Sequence, residues 1–207
     1  DLNWVWIDYS RPGVGLAQSV SKALLCQNAD VLVLGNHGLV VGGEDGEQTM
    51  NLIYDILNRF KMKSRNFNPP SDQLLRDFAV KLDMDPAAND ITQGLAVDKV
   101  ANRYCQLSST ILYPDQAVFL GRSLRCLDIG SASIHSSDYT TADYLIVNGI
   151  GVFISKQVKR GLIEMLTCHA EVLMRILPGK NLNYLTIENI DDLVNWEAES
   201  YRKNLGK

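Results

Sequence analysis

Apolar runs and polar breaks divide the chain into alternating strand-like and helix-like stretches. Trp4-Val-Trp-Ile7 is a short apolar run, closed by a turn that carries Pro12-Gly13. Residues 15–27 place Leu16, Val20, Ala23, Leu24 and Gln27 at helical spacing, which predicts an amphipathic helix. Two runs rich in Val and Leu, residues 31–34 and 39–41, are too apolar for a solvated edge and read as buried strands. A long helix is predicted from Glu44 to about Lys63, acidic at its start and basic at its end as the helix dipole prefers. Leu52, Ile53, Ile56, Leu57 and Phe60 form its predicted buried stripe, and the cluster Arg59-Phe-Lys-Met-Lys-Ser-Arg65 its solvated end.

Asn66-Phe-Asn-Pro-Pro70 breaks the pattern, and Ser71 is a suitable N-cap for a helix to about Leu82. Residues 83–92 read as irregular around Pro86, and residues 97–107 as a helix. A second strand-rich stretch starts at Ile111, with short strands expected at 117–120 and 124–128. A Ser-rich loop at 131–138, a strand pair within 144–154 and a helix over 157–177 ended by Pro178-Gly179 follow. A last amphipathic helix runs from Thr186 to about Asn204, with Ile190, Leu193, Val194, Trp196 and Tyr201 as packing residues. This alternation is that of an α/β protein, divided into a first segment at 1–68, a helical connection at 69–109 and a smaller α/β segment at 110–207.

One polar side chain stands out between the two central strands. Gly35-Asn-His-Gly38 supplies the positive-φ positions of a tight turn, which puts His37 at a sharp bend with its backbone fixed. Such a histidine suits metal ligation or acid–base work. It also suits a plain structural hydrogen bond, and neither His135 nor His169 stands at HxH or HExxH spacing to it. A weak internal repeat bears on the choice. Residues 31–41 align without a gap to 144–154, each followed by a long helix, and Ile150 stands where the first copy has His37. The second turn manages with an aliphatic side chain, which favours a functional role for the imidazole. On the 131–138 loop, Ser133, His135, Ser136 and Asp138 are too close in sequence to take triad geometry.

Composition narrows the classes. At 207 residues with 46% hydrophobic and 21% charged residues, the chain suits one sizeable domain or two small ones. A net charge of −4 gives no footprint for nucleic acid or an anionic membrane. No apolar run reaches the roughly 20 residues that span a bilayer. Cys26, Cys105, Cys126 and Cys168 are widely spaced without a CxxC pair, the usage of reduced, mostly buried thiols in a cytoplasmic protein. Strand sequence begins within a few residues of Asp1, so the sequence reads as a fragment lacking its N-terminal portion.

These residues resemble the class II aldolase/adducin family. The strand before Tyr9-Ser-Arg-Pro-Gly13, the helix after it, Leu34-Gly-Asn-His-Gly-Leu39 and Gly42-Gly-Glu before a long helix carry the resemblance. Residues 113–121 and 184–201 are similar to C-terminal extensions of some bacterial members. The resemblance implies a three-layer α/β/α fold with a central β-sheet, followed by the smaller α/β segment. It implies a divalent-metal-dependent carbon–carbon lyase of the retro-aldol type, acting on a phosphorylated sugar or another hydroxy-carbonyl compound. His37 matches the third of three histidine ligands to a divalent ion, usually zinc. The HxH pair and the acidic base of the family's earlier half are not in this sequence, so the resemblance assigns no catalytic residue here, and this chain is expected to be inactive and its metal site empty or weakly held. Adducin-like members imply the other outcome, a non-catalytic interaction or oligomerisation module. Members of the family are expected to be homo-oligomers, tetramers among them.

Overall fold

The computed structural model describes residues 2–107, 110–129, 141–199 and 201. The loop at 131–138, with Ser133, His135, Ser136 and Asp138, lies outside the described residues. The chain is an α/β fold built on two small mixed sheets.

The first sheet has the order β1-β2-β3, with β1 at Trp4–Ile7, β2 at Val31–Leu34 and β3 at Gly38–Val41. β1 lies parallel to β2, and the crossover is α1, Val14–Cys26. Val5, Ile7, Leu32 and Leu34 form a small core that Leu16, Val20 and Ala23 of α1 cover, as the helical spacing predicts. Leu24 belongs to the predicted stripe yet stands 47% exposed. The long helix α2 spans Gly46–Arg59, shorter at both ends than predicted, and Asp45 caps it through a bond accepted from Gln48 N–H. Its expected stripe is the largest error. Ile56 is buried, but Leu57 and Phe60 are 58% and 60% exposed. Three strands give α2 little to cover, and Phe60 meets Trp4 edge-on, with ring centroids 5.5 Å apart.

The second sheet has the order β4-β7-β6-β5: Asp85–Pro86, Gly151–Ile154, Tyr144–Val147 and Cys126–Leu127. β6 is buried along its whole length, which explains its uninterrupted apolar sequence. α3, Asp72–Leu82, starts at the expected cap, Ser71. Residues 83–92 are more ordered than predicted. Asp83 ends α3 in the left-handed conformation (φ 52°), β4 pairs with the outer edge of β7, and α4 begins at Asp90. Pro86 is tolerated because β4 is an edge strand. α4, Asp90–Val97, buries Thr92, Gln93, Gly94, Leu95 and Ala96 in succession, so it lacks the one-sided pattern that would have revealed it. α5 is Lys99–Gln106. Gln116–Leu120 is a π-helical turn rather than a strand, an ambiguity inherent in a short apolar run. α6 is Arg160–Leu173, and its last residues tighten into i→i+3 bonds at Arg175 and Ile176 before Pro178. α7 spans Ile187–Val194, capped by Thr186; the predicted helix is interrupted at Asn195 and Trp196, and residues 197–199 and 201 are helical again. Tyr201 is 65% exposed rather than packed.

The internal repeat is a repeat of structure. In the first hairpin Val31 pairs with Val41 and Leu34 with Gly38, and in the second Tyr144 pairs with Ile154 and Val147 with Gly151. The aligned residues therefore hold the same register. The parallel neighbour matches too, since Ile7 lies beside Leu34 as Leu127 lies beside Val147.

The cysteines are all free, but only Cys105 is buried; Cys126 is half-buried and Cys26 and Cys168 are exposed, fewer buried thiols than expected. Burial pushes the Cys126 thiol up to about 12, and it donates to Cys105 O at 3.1 Å. Among the described residues no helix is long and apolar enough to cross a membrane.

Arg65, expected on a solvated helix end, is instead a fastening point. Its guanidinium holds Asp98 through Nη2–Oδ1 at 2.6 Å and Nε–Oδ2 at 3.2 Å, with the side chains 20% and 10% exposed. The same group donates to Leu173 O at 2.9 Å and to Ile176 O. Asp98 also caps α5, accepting from Val100 N–H and Ala101 N–H. Burial raises the Asp98 carboxyl, but the bonds from Arg65 and the two amides outweigh it and leave it below its ordinary value. The stability contributed is therefore complete above the unfolded value of about 3.9 and is lost as pH falls through the lower folded one. Asp98→Ala leaves the guanidinium uncompensated and the helix uncapped, an expected loss of about 3 kcal/mol in urea unfolding at pH 7. A loss within 0.5 kcal/mol, roughly that of an ordinary surface change, would refute the fastening role.

Candidate functional site

The turn between β2 and β3 is shaped by two requirements. Gly35 N–H donates to Ile7 O at 2.8 Å, and a Cβ on Gly35 would come within 3.0 Å of Trp6 and 3.1 Å of Tyr9 N, so the end of β1 leaves room only for glycine. Asn36 takes the left-handed conformation with φ 54°, and His37 N–H then closes on Leu34 O at 3.1 Å. His37 is exposed, at the rim of a cavity of about 330 Å³. The other lining residues are Pro12, from the loop before α1, and Tyr113, Pro114, Asp115 and Glu199 from the later part of the chain.

The first hairpin meets later parts of the chain here through Asn36. Its carboxamide donates to Leu112 O at 3.0 Å and to Asn183 O at 2.7 Å, and accepts from Asn183 Nδ2 at 2.9 Å. Behind the cavity wall, the Tyr113 hydroxyl is 2.9 Å from Nδ1 of His169, a fully buried residue of α6. Burial pushes the Tyr113 hydroxyl up and the His169 imidazole down to about 4, so both are neutral near pH 7. The loop that carries Tyr113 is braced by Gln116, which accepts from Leu112 N–H at 2.8 Å and donates to Thr110 O at 3.2 Å.

His37 is the site residue that the sequence singles out, and the structure puts it beside groups that the sequence does not. Asn183 has no local signature, and neither do Asp115 and Glu199. His169 could have been found: it shares a helical stripe with Leu166, Ala170 and Leu173 and is a polar residue on an apolar face. His37, Asp115 and Glu199 line one cavity, but among the described residues no group of three His, Cys, Asp or Glu could hold a metal ion. The residues present therefore do not by themselves fit the divalent ion that the resemblance implies.

Residues 2–63 match the family model described as Class II Aldolase and Adducin N-terminal domain. No curated protein and no solved structure matches the chain.

The buried Tyr113–His169 pair predicts a pH dependence of stability. The folded-state value of His169 lies below the unfolded one of about 6.5, so between these values the unfolded chain binds the extra proton. Stability from this group is complete above about pH 6.5 and falls towards pH 4, by on the order of 3 kcal/mol. His169→Gln, which retains hydrogen-bonding groups but does not titrate, should remove most of that slope in urea unfolding between pH 4.5 and 7.5. An unchanged slope would show that another group sets it.

Proposed function

We propose that the chain, whose residues 2–63 match the class II aldolase/adducin family model, is part of a divalent-metal-dependent, aldolase-like carbon–carbon lyase in which His37 is one ligand. The observation that carries this reading is the setting of His37: an exposed imidazole on a backbone-fixed turn, facing a cavity, where the aligned turn has a half-buried Ile150. A histidine kept only for packing would have its side chain inside. Zinc is the ion expected from the family, and it needs three or four donors. The remaining donors and the carboxylate base come from outside the described residues, from another stretch of polypeptide or from another subunit. The substrate class is a small hydroxy-carbonyl compound such as a phosphorylated sugar, in a cytoplasmic homo-oligomer. The chain's segments 1–68, 69–109 and 110–207 are read on this view as part of the aldolase-like domain, a connection and a second α/β unit. This chain's own residues do two things at the site. The hairpin orients the imidazole, and the Pro12–Tyr113 wall confines whatever meets it.

In a polypeptide that supplies the other donors, His37→Ala should reduce bound zinc from one equivalent to under about 0.1, with carbon–carbon lyase activity falling at least about 100-fold. The 207-residue chain alone should hold zinc only weakly, as expected of one imidazole. Retention of stoichiometric zinc and full turnover by the variant would overturn the ligand assignment. A zinc-free protein with an unchanged oligomeric state would favour the adducin-like reading, a non-catalytic interaction module.

A further inference from the structure

We propose that Asn36 is the positioning residue of the His37 site, and that residues 112–115 together with Asn183 are a built part of that site rather than an appended unit. This rests on the reading of His37 as the site's functional side chain. The inference comes from comparing the two hairpins. At the aligned left-handed position, the first has Asn36 with φ 54° and the second Gly149 with φ 73°. Glycine and asparagine are the residues that occupy this conformation readily. They differ in what they can then hold.

Gly149 anchors its turn through the backbone alone, N–H to Ala96 O at 2.9 Å. Asn36 anchors its turn through the side chain, with two bonds donated to carbonyls at Leu112 and Asn183 and one accepted from the Asn183 side chain. These partners lie far along the chain, and Leu112 immediately precedes Tyr113 of the cavity wall. The clamp therefore fixes the residue before His37 and the residue before Tyr113 to one carboxamide. The imidazole and the opposite wall are set relative to each other by that group. An asparagine serves where a glycine would satisfy the backbone, because only the asparagine couples the turn to the wall.

The two hairpins supply their own control. His37 N–H and Ile150 N–H close equivalent turns, on Leu34 O at 3.1 Å and on Val147 O at 2.9 Å. Amide hydrogen exchange of the two can be followed by NMR in the 207-residue chain. Asn36→Gly keeps the left-handed backbone and removes the clamp, and should speed exchange at His37 at least tenfold while Ile150 stays within twofold. Asn36→Asp keeps the shape but loses both donated bonds, so it should behave like Asn36→Gly and not like the wild type. Asn183→Ala removes one bond of three and should give a smaller increase in the same direction. Carbethoxylation of His37 by diethylpyrocarbonate should accelerate in the same order, with the thermal midpoint little changed. Exchange at His37 within twofold of wild type in both Asn36 variants would overturn the proposal, as would a parallel change at Ile150. No metal is used, so the clamp can fail while the ligand assignment stands. The zinc result for His37→Ala can equally fail while the clamp stands.

Discussion

The ion pair between Arg65 and Asp98 ties together the parts of the chain that sequence separates. Arg65 follows the first sheet and its helix, Asp98 joins α4 to α5, and the two carbonyls that also take the guanidinium close the end of α6. The backbone repeats the attachment, with Arg65 N–H on Met174 O at 3.0 Å. A guanidinium has enough fixed donors to serve a carboxylate and two helix-end carbonyls at once, which an ammonium on a flexible stem does not match geometrically. The carboxylate is equally engaged, because the amides of α5 fill the acceptor positions that Arg65 leaves. Burying either charge alone would be costly, and together they are almost fully satisfied. The larger core, around Leu95, Ile146, Leu166 and Leu173, lies among the elements fastened in this way.

How much of this was legible in the sequence depended on the kind of signal. The strands at Trp4–Ile7, Val31–Leu34 and Tyr144–Val147 were plain from apolar runs bounded by turn residues. The cap at Ser71 was plain from side-chain chemistry, and the start of the last helix was placed at Thr186, which the structure shows as its cap. What failed was any inference that needed to know what lies opposite. The α2 stripe is a sound helical pattern, but Leu57 and Phe60 have little sheet to cover. α4 is covered on nearly every side and so shows no period at all. Arg65 looked solvated because its neighbours Lys61 and Lys63 are charged and exposed, whereas its partner Asp98 is remote in sequence. At the site, the turn that holds His37 was readable, since Gly-Asn-His-Gly encodes the required backbone locally. Its wall was not, because contacts such as Asn36 with Asn183 leave no local trace.

The same hairpin is finished differently in the two sheets, and this accounts for the distribution of exposed apolar surface. In the second, β4 pairs along the outer edge of β7 at Pro86 and Asp85, and α3 supplies Phe78 and Leu82 to the cluster against which Ile150 packs. In the first, β3 has no further strand among the described residues. Leu39 and Val40 are 44% and 43% exposed there, and they line an open groove with Ile53, Ile56 and Leu57 of α2. Trp6, Tyr54 and Phe60 add to the exposed apolar side chains of the same unit. Exposed side chains are ordinary when scattered and carry meaning when they gather on one unit.

That contrast also explains why His37 and Ile150 have different prospects on one backbone frame. Ile150 packs against a cluster that includes Phe78, Leu82 and Phe153, where an imidazole would have to find a buried partner. His37 meets a mixed boundary composed of Pro12, Tyr113, Pro114, Asp115 and Glu199, and its side chain stays exposed. The frame is indifferent to the side chain, since the two turns close on equivalent carbonyls, Leu34 O and Val147 O, with the same register. The choice of residue is made by what docks on the turn. In the second unit that is the end of α4 and the cluster to which α3 gives Phe78 and Leu82; in the first it is the contact of Asn36 with Leu112 and Asn183, which leaves the following residue facing a cavity rather than a core. An exposed imidazole at the first turn and an aliphatic side chain at the second thus follow from a single difference: docking through a carboxamide, which holds the turn at its rim, instead of through packing, which covers it.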